Sequence, residues 1–184
     1  MVVPKDDGAA GHLVGMRMPA MSLPATTDGV MRVDGVPPGA NWLVLFGYPR
    51  TGRPAEVPIP GWDQIPGALG CTAEACSFRD LATDLGEAGA AVAGLSTQDS
   101  GYQREVADRL SLPFPLLSDE KRELTSALGL PTFAAAGHTL IKRITLVIAN
   151  GLIEHVFYPV FPPDRHPAQV LGWLRHRPDP TVNR

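Results

Sequence analysis

Short apolar runs that alternate with stretches of helical spacing constrain this chain more than any other feature. Asn41-Trp-Leu-Val-Leu-Phe-Gly47 is continuously apolar and bounded by Pro38-Gly39 and Pro49, the pattern of a strand buried on both faces. Ala90 to Ser96 reads as a second buried strand. Between them, TAEACSFRDLATDLGEAG sets Ala75, Phe78, Leu81, Ala82 and Leu85 at helical spacing, with Gly86 or Gly89 able to end the helix. Tyr102 to Leu110 is predicted helical, Phe114 to Leu117 a short strand, and Lys121 to Leu128 a short helix closed by Gly129. Ile144 to Ile148 and Ile153 to Tyr158 read as two strands joined by Asn150-Gly151, a strong hairpin signal, and a last helix runs from about His166 to Arg175. Strand–helix alternation followed by a hairpin gives an α/β domain with a mixed sheet.

The rest of the chain adds little regular structure. Residues 1–14 read as a flexible N-terminal arm whose first ten residues are expected to be disordered, with a short strand expected near Met16 to Met18. One domain is expected over 15–178, with 179–184 as a tail. From Arg50 to Gly70 four prolines and four glycines surround a single Trp62, a composition that opposes helix and central strand and demands a long loop. Trp62 is expected to plug that loop against the core more readily than to cap a site. The aromatic and proline-rich run Phe157-Tyr-Pro-Val-Phe-Pro-Pro163 is expected to be packed loop.

Charge narrows the function classes. A formal net charge of −3 over 184 residues, with no long basic run, gives no electrostatic footprint for nucleic acid. No window approaches the length of a membrane span, and the opening MVVPKDDGAAGHLVG lacks the basic region and apolar stretch of a secretory signal, so a cytoplasmic setting is expected. Both cysteines fall within six residues, too few and too close for the disulfide framework of a small secreted domain.

Cys71 and Cys76 stand at i and i+5, where helix geometry separates the Cα atoms by roughly 8 to 9 Å, beyond the ~7 Å reach of a disulfide. The pair can be bonded only if the first turn unwinds. Cys71 lies at the predicted helix start, where unpaired backbone N–H groups and the positive end of the dipole favour the thiolate, which is the nucleophile. Two inert structural thiols remain an open alternative on spacing alone. A zinc site would need two more ligands, and His12, His138, His155, His166 and His176 show no paired spacing, so no metal is expected.

Gly70-Cys-Thr-Ala-Glu-Ala-Cys-Ser-Phe-Arg-Asp80 resembles the active-site helix of the atypical two-cysteine peroxiredoxins of the PrxQ, or bacterioferritin-comigratory, class. Leu43 to Pro49 resembles the strand and Tyr-Pro ahead of that family's catalytic loop, Leu116 to Asp119 a later strand end, and Lys142 to Ile148 the strand that carries the family arginine; the likeness spans about 15–175. It implies a thioredoxin-like fold, a central mixed sheet flanked by helices on both faces, and reduction of hydrogen peroxide and small organic hydroperoxides. It further implies Cys71 as peroxidatic residue, Cys76 as resolving residue through an intrachain disulfide, and Arg143 as the active-site arginine. A guanidinium beside Cys71 has its own rationale, since it would stabilise a thiolate and offer donors to peroxide oxygens. Glu74 matches the family pattern, with a favourable dipole interaction as its ordinary role.

One part of the pattern is broken. The family's Pro-x-x-x-Thr-x-x-Cys supplies a hydroxyl to the sulfur, yet Ala68 and Gln64 stand where the threonine and proline belong. The expectation is that 52–70 is an insertion that loops out and leaves Thr51 near Cys71. No cofactor is implied, thioredoxin or a similar dithiol would be the reductant, and a monomer or weak homodimer is expected. A thiol–disulfide oxidoreductase acting on proteins and a non-catalytic redox sensor stay as alternatives.

Overall fold

The computed structural model describes residues 1–27, 29–178 and 180. The chain runs through β1 (Ser22–Pro24), β2 (Val30–Arg32), β3 (Trp42–Gly47), α1 (Cys71–Asp80), α2 (Ala82–Glu87), β4 (Ala90–Ser96), α3 (Ser100–Leu110) and β5 (Leu116–Ser118). It continues through α4 (Glu123–Leu128), β6 (Thr132–Ala135), β7 (His138–Ile141), β8 (Ile144–Ala149), β9 (Leu152–Phe157) and α5 (His166–Arg175).

Five strands form the central sheet in the order β5-β4-β3-β8-β9. β4 lies parallel to β3 and β5, whereas β8 is antiparallel to both β3 and β9. The mixture follows from the connections: α1 with α2, and then α3, return the chain for parallel pairing, while Asn150 and Gly151 turn it tightly between β8 and β9. Both turn residues sit at positive φ, 53° and 73°, as a primed hairpin turn requires.

β3 is buried along its whole length, and its alternation divides the core in two. Leu43 and Leu45 pack with Leu124 and Leu128 of α4 and with Leu13, Leu23 and Met18 from the N-terminal segment. Val44 and Phe46 face the other way, toward Phe78 of α1, Leu85 of α2, Val106 of α3 and Val170 and Leu174 of α5. Helices therefore cover both faces, unequally, with α4 and the N-terminal segment sharing one. Each such fully buried Leu or Phe side chain contributes roughly 1.5 to 3 kcal/mol.

Three expectations differ from what forms. Residues 1–14 are anchored rather than loose: Leu13 is fully buried, Lys142 Nζ lies 2.6 Å from Asp7 Oδ2, the Tyr158 hydroxyl donates to Asp7 Oδ1 at 2.7 Å, and Gly67 N–H donates to the Val2 carbonyl. These ties join residues distant in sequence, which local periodicity does not report. Near Met16 to Met18 there is only an isolated bridge from Arg17 to Leu152, and the strands of this region are β1 and β2. The helix after Cys71 is broken at Leu81 into α1 and α2. Of the expected tail at 179–184, all but Pro180 lies outside the described residues.

Candidate active site

β3 delivers the chain at Tyr48 and Pro49 to the end of the sheet from which residues 52–70 loop away. The start of that loop is fastened to α3. Arg50 Nη2 lies 2.5 Å from Glu56, the Tyr102 hydroxyl lies within hydrogen-bond distance of Glu56 Oε2 at 2.7 Å and of the Thr51 carbonyl at 2.9 Å, and Arg109 Nη2 donates to the Gly52 carbonyl at 3.0 Å. The Arg53 guanidinium lies over the Tyr102 ring at 4.0 Å. Farther on, a 3-10 turn at Trp62–Gln64 holds half-buried Trp62 with its ring centroid 6.0 Å from that of Phe133.

The loop closes on Gly70, the N-cap of α1, at φ 101°. A Cβ there would lie 2.4 Å from Pro163 Cγ, so both conformation and space demand glycine. Cys71 is then the first residue of α1, at a helix start with no side-chain cap. The first-turn N–H groups are left to whatever anion sits there. Phe78, two turns on, stacks on Phe46 of β3 at 4.3 Å between centroids and fixes the helix against the sheet.

Arg143 immediately precedes β8 and is 3% exposed. Its Nη2 lies 3.2 Å from Cys71 Sγ and also donates to the carbonyls of Leu69 at 3.1 Å and Gly67 at 3.3 Å. Its Nη1 is paired with Glu74 Oε2. One guanidinium thus ties the loop, the helix and the sulfur together. Cys71 Sγ in turn can donate to the Ala68 carbonyl at 3.6 Å.

Burial and charge act in opposite directions here. Burial favours neutral Glu74 and lifts it to about 7, a rise that the Arg143 charge opposes without cancelling. Burial also works against charge on Arg143, but Cys71 and Glu74 outweigh it and hold the guanidinium more firmly cationic than usual. The Tyr48 hydroxyl, beside this cluster, is pushed well upward by burial and then by Cys71 and Glu74. His166 of α5 is driven down to about 4, first by burial and also by Arg143, although Gln169 opposes the change; its Nε2 pairs with Thr145 Oγ1 at 2.8 Å. The Tyr48 hydroxyl, Glu74 Oε1 and Arg143 Nε are buried without a hydrogen-bond partner among the described residues.

Of the residues singled out from sequence, Cys71 and Arg143 meet directly. Cys76 is half-buried on the same helix and, like Cys71, is a free thiol. Thr51 corrects the sequence expectation. It is buried, but its hydroxyl donates to Gln98 Oε1 at 3.2 Å, its N–H goes to the same atom at 2.9 Å, and none of its hydrogen bonds reaches Cys71. Gln98 and Tyr102 both satisfy the Thr51 backbone, so the residue belongs to the fastening of the loop. From sequence, Glu74 matches the family pattern with an ordinary dipole role and Tyr48 enters only as part of the Tyr-Pro ahead of the loop; the pairing of Glu74 with Arg143 and the burial of the Tyr48 hydroxyl beside the sulfur carry no local signal. Among the described residues no group of three or more His, Cys, Asp or Glu side chains is placed to hold a metal. No helix among them is long and apolar enough to cross a membrane.

Cys71 is among the residues lining a cavity of about 630 Å³, together with Arg50, parts of the 52–70 loop and the first turn of α1. Cys71 itself is only 3% exposed.

The profile of the Redoxin family matches residues 13–171. A chloroplastic peroxiredoxin Q of Oryza sativa subsp. japonica is 36% identical over 125 residues, 67% of this chain and 55% of its own length. A chloroplastic peroxiredoxin Q of Sedum lineare is 35% identical over 125 residues, 67% of this chain and 64% of its own. The chain spans a little over half the length of such curated relatives. Among solved structures, peroxidoxin BcpB from Mycobacterium tuberculosis superposes with a TM-score of 0.73 at 29% identity, over 91% of this chain and 100% of that one. A Xanthomonas campestris peroxiredoxin Q gives 0.65 at 20% identity, over 95% and 96%, which speaks for the fold.

Proposed function

The chain belongs to the Redoxin family, and on that premise we propose that it is a thiol peroxidase reducing hydrogen peroxide and small organic hydroperoxides through Cys71. The observation that carries this reading is the position of Arg143 Nη2, 3.2 Å from the sulfur at an uncapped helix start. A guanidinium beside the thiol and the positive end of the α1 dipole favour its anion, and the guanidinium remains as a donor for an oxygen on which charge develops.

Cys71 thiolate attacks the terminal oxygen of the hydroperoxide, the O–O bond breaks, and the leaving oxygen takes a proton to depart as water or an alcohol. The sulfur is oxidised to sulfenic acid. That step removes the negative charge which Arg143 and the helix start were holding, so the first turn loses part of its anchorage. With the turn unwound, Cys76 thiolate displaces hydroxide from the sulfenic sulfur, the hydroxide is protonated to water, and a Cys71–Cys76 disulfide remains. Unwinding is required because an intact helix keeps the two Cα atoms roughly 8 Å apart. An external dithiol, thioredoxin or a protein like it, restores both thiols by exchange. The proposal includes a cytoplasmic setting, where such dithiols are kept reduced, and a monomer or weak dimer, since both sulfurs lie in one chain.

Stopped-flow mixing with peroxide under single-turnover and then thioredoxin-coupled conditions tests the reading. Rapid, repeated oxidation supports it. A single slow oxidation without turnover would instead indicate a redox sensor, and inertness to peroxide with ready disulfide exchange a protein oxidoreductase.

A further inference from the structure

Tyr48 follows β3 with its side chain on the face of the sheet that α1 covers, in the same buried cluster as Cys71, Phe46 and Phe78. Its ring stacks on that of Phe46 at 5.7 Å between centroids. Gly94 of β4 clears the space for both rings, since a Cβ there would lie 3.0 Å from Phe46 Cζ and 3.2 Å from Tyr48 Cε1. The residue is 1% exposed, and its hydroxyl has no hydrogen-bond partner among the described residues. Packing accounts for the ring but not for the hydroxyl, because phenylalanine would fill the same space without burying an unsatisfied polar group.

We infer that Tyr48 is a further catalytic residue: its hydroxyl donates a hydrogen bond to the oxygen that Cys71 takes from the hydroperoxide, as the S–O bond forms and in the sulfenic acid that results. This inference rests on the peroxidase reading and adds a donor to it.

The other donors at the sulfur are already committed. Arg143 Nη2 is shared among Cys71 Sγ and the carbonyls of Leu69 and Gly67, and Nη1 is held by Glu74, so the guanidinium cannot serve both oxygens of a peroxide. Ala68 stands where the sequence pattern calls for a threonine hydroxyl, and Thr51 Oγ1 is given to Gln98. The Tyr48 hydroxyl is buried and uncommitted in the same cluster as the sulfur. After burial itself, Cys71 weighs most on the ionisation of Tyr48, ahead of Glu74 and Tyr102, and all of them keep the hydroxyl protonated, as a donor must be.

An uncommitted donor suits this task. A hydroxyl bonded in the resting protein would have to give up that bond before serving the oxygen, whereas one that gains its partner only during the reaction stabilises the transition state over the ground state. A donor on the attacked oxygen also draws electron density from it and makes it a better electrophile. Tyr48 keeps its own proton throughout, and the leaving oxygen is protonated to water or an alcohol as before, so the balance of the step is unaltered.

Tyr48→Phe removes the hydroxyl and keeps the ring. The test compares it with the wild type in the second-order rates at which Cys71 is oxidised by hydrogen peroxide and alkylated by iodoacetamide, which attacks the same thiolate without transferring oxygen, and in urea midpoints. The peroxide rate is expected to fall by about tenfold, the scale of one hydrogen bond gained in the transition state, while the alkylation rate stays within about twofold. The urea midpoint is expected to stay level or rise, because a buried unsatisfied hydroxyl has been removed. An unchanged peroxide rate overturns the role and leaves the peroxidase reading intact. A parallel fall in both rates also overturns it, since the hydroxyl would then act on the thiolate by way of Glu74 and Arg143, and so does a lowered midpoint, since it would then be holding the fold. If peroxide fails to oxidise wild-type Cys71, the peroxidase reading itself fails and takes this inference with it.

Discussion

Glu74 holds Arg143 by Nη1, and the Nη2 of the same guanidinium is thereby turned to within 3.2 Å of Cys71 Sγ. The carboxylate sits three residues after the sulfur, close to one helical turn along α1, so the helix that presents the nucleophile also presents the group that aims its cation. Glu74→Gln keeps an acceptor but loses the ion pair, and it is expected to slow peroxide oxidation of Cys71 by about tenfold. Glu74→Ala leaves Arg143 buried without its carboxylate partner and should cost about 3 to 5 kcal/mol in urea unfolding. Equal rates in wild type and Glu74→Gln would show that Arg143 is positioned by the loop carbonyls alone.

Thr51→Val tests the departure from the family pattern. Its hydroxyl is spent on Gln98, so the substitution is expected to change the peroxide oxidation rate by less than about twofold and to lower stability by about 1 kcal/mol, a typical net worth for one hydrogen bond. Stopped-flow rates and urea midpoints measure both. A large rate loss with the fold intact would restore the role that the sequence suggested.

His166 gives the acid limit of stability a specific origin. Its folded value of about 4 lies below its ordinary 6.5, so the unfolded chain takes up the proton first as pH falls. Its contribution is therefore complete above pH 6.5 and is lost progressively down to pH 4, by up to about 3 kcal/mol. Glu74 acts in the opposite sense. Raised from 4.5 to about 7, it is protonated in the folded chain before the unfolded one, so its contribution is largest below 4.5 and is lost as pH rises through that window. His166→Gln should flatten the loss between pH 6.5 and 4 seen by chemical denaturation, and an unaltered profile would refute the assignment.

Glycine substitutions separate position from composition. Gly70→Ala forces a Cβ to 2.4 Å from Pro163 Cγ at a φ of 101° and is expected to destabilise by about 2 kcal/mol or more, with loss of peroxide reactivity as the start of α1 shifts. Gly86→Ala, within α2 and with open space around it, is expected to stabilise by about 0.5 to 1 kcal/mol. Urea midpoints for the two variants should therefore move in opposite directions.

The parts of this architecture visible in sequence are those whose signals are local. The apolar run of β3, the Asn150-Gly151 turn and the helix from His166 to Arg175 each carry their own pattern, and they appear where expected. The β6–β7 hairpin was not anticipated, because Thr132 to Ile141 joins an alanine run to a turn at Ala136 and Gly137 without strong alternation. The packed N-terminal segment was also unreadable, since Asp7 is held by Lys142 and Tyr158 from the far end of the chain. At the site, the positions of Cys71 and Arg143 were legible through family likeness. The Arg143–Glu74 pairing and the diversion of Thr51 to Gln98 were not, because both are set by how β8, α1 and the loop after β4 converge in space.

In the proposed mechanism the sulfur beside Arg143 takes the oxygen, and Cys76 then closes on it. Intact and peptide-level mass spectrometry after one equivalent of peroxide, comparing the wild type with Cys76→Ser, tests it directly. The wild type is predicted to lose two hydrogens as a single intrachain Cys71–Cys76 disulfide, and Cys76→Ser to gain one oxygen on Cys71. Oxygen found on Cys76 of the wild type with Cys71 untouched, or no mass change in either protein, would contradict it.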